Sequence, residues 1–188
     1  EKWPPPAQRG FDRHIGTLTG AGSFWNPHTM VDGDKPIQAE GDDFYYTDFI
    51  AHNAVDFIGE HGVKDNPFFL YVAFTAPHWP LHAFDEDIEQ YRGQYRDGWD
   101  KLRTSRHEEL KGSGIVDSKW EISPRDKSAP PWEDVKDTDW EDARMAVYAA
   151  QIDRMDQGIG RIMARLEAMN LKDNTLVMFL SDNGGCAE

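Results

Sequence analysis

The chain has 188 residues, 39% of them apolar and 12% aromatic, with a formal net charge of −14. Its length suffices for one domain with a core, and seven tryptophans and ten phenylalanines exclude a disordered chain, which is aromatic-poor. The acidity argues against a nucleic-acid partner, and a single cysteine, Cys186, excludes an intramolecular disulfide scaffold. No apolar run is long enough to span a membrane, and the opening EKWPPPAQRG lacks the apolar stretch of a signal peptide.

In chain order, residues 1–10 are proline-rich and read as extended surface chain. Gly16, Gly20 and Gly22 argue against a helix in the next segment, and residues 26–42 carry turn signals throughout, with room for a short hairpin. Asp42 or Asp43 is placed to cap a helix running to about His61, with Phe44, Thr47, Ile50, Ala54, Phe57 and Ile58 on its buried stripe. Gly62 then reads as a left-handed stop with Val63 packing back. Residues 68–74, FFLYVAF, are continuously apolar and read as a strand buried on both faces, as in the centre of a parallel sheet.

Residues 84–137 are charged and broken. Short helices are expected over 85–95 and 98–111, and a proline-rich loop over 113–131. An excursion of this kind usually covers or shapes a site. The strongest helix opens at Thr138, where Thr138 and Glu141 fit a capping box, and carries a stripe from Met145 through Tyr148, Ile152, Met155, Ile159, Ile162 and Leu166 to Met169. Gly158 and Gly160 suggest close packing on that helix, and Asn170 suits a left-handed stop. A second buried strand is read at 176–180, LVMFL, and it breaks into Ser181-Asp182-Asn183-Gly184-Gly185.

Two buried strands thus run into polar, constrained residues. Asp182 and Asn183 bring hard oxygen donors suited to Ca²⁺ or Mg²⁺ to a strand end, although Asp-Asn-Gly is also ordinary turn chemistry. His78 and His82 lie in the loop TAPHWPLHA, stiffened by Pro77 and Pro80. If the two strands are parallel, both loops share one sheet edge, where ligands bind in open α/β sheets. His78 then suits hydrogen bonding to an anion or general-acid work, against the alternative of a structural histidine packed by Trp79. His14, His28, His52, His61 and His107 show no ligand spacing, and Cys186 has no base nearby in sequence, so it reads as a bystander thiol.

Three ordered blocks resemble the sulfatase family. TAPHWPLHA at 75–83 is similar to its Pro-His-x-Pro block, LSDNGG at 180–185 to its metal-binding Asp-Asn-Gly block, and Arg9-Gly10-Phe11-Asp12 to its Arg-Gly-Phe-Asp stretch. Residues 91–99 and the helix around 148–166 are also similar, particularly to bacterial arylsulfatases. The resemblance implies an α/β fold, with a central, largely parallel sheet flanked by helices, of the alkaline-phosphatase-like kind. It implies hydrolysis of sulfate esters, small or glycan, with His78 contacting the sulfate group or protonating the leaving oxygen and His82 binding substrate. It further implies Ca²⁺, in preference to Mg²⁺, held partly by Asp182 and Asn183, a formylglycine nucleophile, and a bacterial periplasmic or cytoplasmic setting.

The departures are as informative. The formylglycine motif C/S-x-P-x-R is absent, the lysine expected after Asp-Asn-Gly is missing, and Lys2-Trp3 is followed by Pro4 where the family has histidine. The expectation is therefore an internal fragment of a sulfatase catalytic domain, residues 1–188, with 84–137 as an insertion or lid and no turnover on its own. The alternatives are a phosphonate or phosphate-ester hydrolase of the same superfamily, and a non-catalytic binding module.

Overall fold

The structure is a computed structural model that describes residues 4–64 and 66–184. Lys2, Trp3, Gly185 and Cys186, used in the sequence reading, lie outside the described residues. The chain divides into two compact units, one formed by residues 1–82 and 151–188, the other by residues 83–150.

In the first unit the proline-rich opening folds a single 3-10 turn at Pro6–Gln8 in place of extended chain. Proline's fixed φ suits a first helical position, where its missing N–H costs nothing. A three-stranded antiparallel sheet follows: β1 (Ile15–Thr17), β2 (Met30–Asp32) and β3 (Lys35–Pro36), with Gly16 opposite Val31 and Asp32 opposite Lys35. Gly33, at φ +63°, turns β2 into β3. Met30 and Val31 are buried.

Helix α1 (Tyr46–His61) begins later than expected, because Gly41 at φ +89° and the Phe44 N–H to Gly41 carbonyl bond make residues 41–44 a turn. Its first residue docks on the sheet: the Thr17 N–H donates to Tyr46 Oη at 2.8 Å, and Tyr46 N–H donates to the Phe24 carbonyl at 2.8 Å. Gly62 is no left-handed stop, since its φ is −68°, and Val63 is exposed. The glycine is required by space: a Cβ there would lie 2.6 Å from Leu171 Cδ1 and 2.8 Å from the Ile58 carbonyl oxygen.

Neither 68–74 nor 176–180 forms a hydrogen-bonded strand among the described residues, so the expected parallel pair is absent from them. Exposure alternates along the first segment: Phe68, Leu70, Val72 and Phe74 are half-buried, while Phe69 and Tyr71 are exposed. Leu176, Val177, Met178, Phe179 and Leu180 are all exposed. A strand buried on both faces needs a neighbour at each edge, and the described residues supply none to either segment.

The second unit holds α2 (Asp85–Glu89), which gives way to turns well before residue 95, and α3 (Gly98–Gly112). Helix α4 (Thr138–Ala168) runs from this unit into the first. Its cap is Asp137, whose Oδ1 accepts the Trp140 N–H at 3.0 Å; Glu141 pairs with Arg144 instead of closing a box with Thr138. The far end is as read. Asn170 sits at φ +56°, its N–H donates to the Glu167 carbonyl, and the Leu171 N–H donates to the Leu166 carbonyl, the two bonds of a Schellman stop.

The most buried line of α4 shares only Leu166 with the predicted stripe. It runs Asp142, Ala146, Ala150, Gln151, Gly158 and Leu166, while Ile152 is 39% exposed. Gly158 does mark a close approach, since a Cβ there would lie 3.0 Å from Ala51 Cβ, but nothing lies within 4 Å of Gly160. Among the described residues no helix is long and apolar enough to cross a membrane.

Candidate functional site

The loop that carries His78 is tied down along its length. The His78 N–H donates to the Thr75 carbonyl at 2.9 Å, closing a turn over buried Ala76. Pro77 and Pro80 each follow a cis peptide bond. The His78 ring is exposed and its Nδ1–H donates to the Trp79 carbonyl at 3.0 Å. With Nδ1 engaged, Nε2 is the nitrogen left for a ligand, and it donates a hydrogen bond when the ring is protonated.

His82 sits four residues on, in an aromatic setting. Its Nδ1 accepts the Phe24 N–H at 3.4 Å, its ring stacks with Trp25 at 6.2 Å, and the Phe24 ring meets it edge-on at 6.3 Å. The accepted bond places the proton of the neutral ring on Nε2. Burial pushes the imidazole pKa below its ordinary value. The Tyr45 hydroxyl donates to the His82 carbonyl at 2.8 Å, and the Gln151 amide donates to the Pro80 carbonyl at 3.4 Å.

The Arg9–Asp12 block lies against the segment that leads into this loop: Gly10 turns at φ +98°, and the Phe11 ring is 6.2 Å from that of Phe69. Beyond it, Arg13 pairs with Glu60 at 2.6 Å and lies 4.6 Å over the Phe57 ring, fastening the block to α1. The block thus touches the chain upstream of residues 75–83.

Asp182 and Asn183 form an exposed bend, and among the described residues no hydrogen bond or ion pair engages either side chain. A carboxylate and a carboxamide oxygen are the right chemistry for Ca²⁺, but they are two donors where the ion takes six to eight, as a rule. No group of three or more His, Cys, Asp or Glu side chains gathers to hold a metal among the described residues. Nor does any hydrogen bond or ion pair there join Asp182 or Asn183 to His78 or His82. An open hollow of about 700 Å³ beside β2 and another of about 310 Å³ on α1 are lined by other residues.

Sequence reasoning missed Tyr45, Gln151 and Asp142. Asp142, almost fully buried, accepts the Gly93 N–H at 2.8 Å and the Tyr95 N–H at 2.9 Å, fixing the turn after α2 in the second unit. The only signal for Gln151 was its place at the edge of an apolar stripe, where a polar residue reads as the solvent boundary.

Comparison with known proteins agrees with the blocks. The family model described as Sulfatase matches residues 2–187. The chain is 33% identical over 191 residues to an arylsulfatase of Klebsiella aerogenes, covering 95% of this chain and 41% of that protein. It is 32% identical over 197 residues to an uncharacterized sulfatase of Schizosaccharomyces pombe, covering 95% of this chain and 35% of the relative. The crystal structure of Ps i-CgsB in complex with k-i-k-neocarrahexaose superposes with a TM-score of 0.57 at 22% identity, over 90% of this chain and 32% of that one. The chain thus spans well under half the length of the relatives it matches, and it shares their α/β, alkaline-phosphatase-like fold. A family model that runs over nearly every residue, with two curated relatives above 30% identity, makes this chain a member of the sulfatase family.

Proposed function

We propose that the whole protein to which these residues belong is a sulfuric ester hydrolase of the arylsulfatase type, acting on an aryl or glycan sulfate. The observation that carries this reading is His78. It is an exposed imidazole on a loop fixed to the core, with one nitrogen occupied by Trp79 and the other left for a ligand. Protonated at Nε2, it donates to a sulfate oxygen or to the departing ester oxygen. His82, with its proton on Nε2, is a neutral second donor from the same loop. The neocarrahexaose bound to one solved relative supports a glycan as the ester's carrier.

Asp182 and Asn183 would contribute two oxygens to a Ca²⁺ site whose other ligands come from outside the described residues. Bound there, the ion would stabilise negative charge on the sulfuryl oxygens. The nucleophile, a formylglycine, is also expected from outside this segment, so the segment alone turns over nothing.

The test is hydrolysis of an aryl sulfate against the matching aryl phosphate by the full-length protein. Sulfate is expected to be the better substrate, with His78→Ala lowering kcat about a hundredfold or more. Asp182→Ala is expected to weaken Ca²⁺ binding by titration calorimetry. A strong preference for phosphate would overturn the reading in favour of a phosphate-ester hydrolase.

A further inference from the structure

We infer that Tyr45 and Gln151 are positioning residues for the loop that presents His78 and His82. The inference deepens the sulfatase reading and rests on it for what the two imidazoles do.

The two side chains reach the loop from different places, the start of α1 and the middle of α4. Tyr45, just before α1 and 2% exposed, donates its hydroxyl to the His82 carbonyl at 2.8 Å. Gln151, on α4 and 0% exposed, donates its amide to the Pro80 carbonyl at 3.4 Å. The two accepting carbonyls flank Leu81 on the C-terminal side of His78. The Thr75 turn holds the N-terminal side. Among the described residues the His78 ring bonds only within its loop, to Trp79, so its place is inherited from the loop backbone.

The chemistry of the two side chains argues that these bonds are why they are there. Gln151 Oε1 is buried with no hydrogen-bond partner among the described residues. A buried, unpaired acceptor costs stability, and methionine would fill the same space without that cost. The amide is thus poorly suited to packing but well suited to holding Pro80. Tyr45 lies in an aromatic cluster, 5.7 Å from the Phe24 ring and 4.9 Å from that of Trp25. Phenylalanine would pack there equally well; the hydroxyl adds the bond to His82.

Tyr45→Phe and Gln151→Met in the full-length protein test this. In each variant the histidine ring signals of His78 and His82, followed by ¹H–¹⁵N NMR, are expected to shift or broaden while those of His14 and His52 stay in place. With an aryl sulfate, kcat should fall roughly tenfold with KM little changed, the response to misaligned groups rather than to lost binding. Thermal midpoints should stay close to the parent's for Tyr45→Phe, which keeps its ring and decides the matter should Gln151→Met fail to fold. His78 and His82 signals unmoved in Tyr45→Phe would overturn the inference. Signals that move in a protein whose parent hydrolyses no aryl sulfate would support the positioning role and reject the sulfatase reading, so the two fail separately.

Discussion

Asp48 on α1 and Arg154 on α4 lie 106 residues apart in sequence yet share two hydrogen bonds, from Arg154 Nε at 2.9 Å and Nη2 at 2.7 Å to the same Oδ2. Arg161 adds a third, to Oδ1 at 2.6 Å. Both Asp48 and Arg154 are mostly shielded from solvent, and charge-assisted bonds of this kind are the strong ones. Asp48→Ala is expected to destabilise the fold by about 1–2 kcal/mol. Arg161→Ala should cost less, about 0.5 kcal/mol, because Arg161 is more exposed. Chemical denaturation of both variants checks the order; equal losses would contradict it.

Asp142 organises the second unit in the same manner. Asp142→Ala leaves the Gly93 and Tyr95 N–H groups without their acceptor and is expected to cost about 2–3 kcal/mol. Burial, and then the charge of Asp142, raise the Tyr95 pKa above its ordinary value of 10.0. The folded state therefore holds this proton more tightly than the unfolded chain does. Its contribution to stability is full below pH 10 and is lost as pH rises through the folded-state value. Ultraviolet titration with Tyr95→Phe as the reference should place Tyr95 later than an ordinary tyrosine, and Asp142→Asn should move it part of the way back.

His82 titrates with the opposite sign. Burial lowers its pKa below 6.5, so the folded state binds the proton less tightly than the unfolded chain. Stability is unaffected above pH 6.5 and declines as pH falls towards the folded-state value. NMR titration is expected to show the His82 ring less protonated than an ordinary imidazole at the same pH. A midpoint at or above 6.5 would show that the aromatic surroundings do not exclude water from it.

Two glycines should respond to alanine in opposite directions. At Gly160, an exposed helical position with nothing within 4 Å, alanine should stabilise by about 0.5–1 kcal/mol. At Gly62 a methyl group would meet Leu171 at 2.6 Å, Met169 at 2.8 Å and a main-chain oxygen that cannot rotate away. Alanine there should cost about 1–3 kcal/mol, readable as a lowered thermal midpoint.

Several features could be read from the chain because their causes are local. The stop at Asn170 follows from a residue that tolerates left-handed backbone, and the stiffness of the 75–83 loop follows from Pro77 and Pro80. The family blocks are also local, short runs whose order along the chain is their signature. The cap at Asp137 was missed by one position because Thr138 offers a hydroxyl to the same helix start, and only geometry shows which oxygen reaches Trp140.

Which side chains hold the histidine loop was settled only by folding. Tyr45, Gln151 and Phe24 meet residues 80–82 across 37, 71 and 58 positions of sequence, and no periodicity encodes such a meeting. The strand readings at 68–74 and 176–180 show the other limit. An apolar run records that a segment is to be buried, whereas the ladder that makes it a strand belongs to its neighbours, and the described residues hold none for either. Composition and motif thus determined the family and the chemistry on offer; contacts between distant residues decided which groups are held in place to use it.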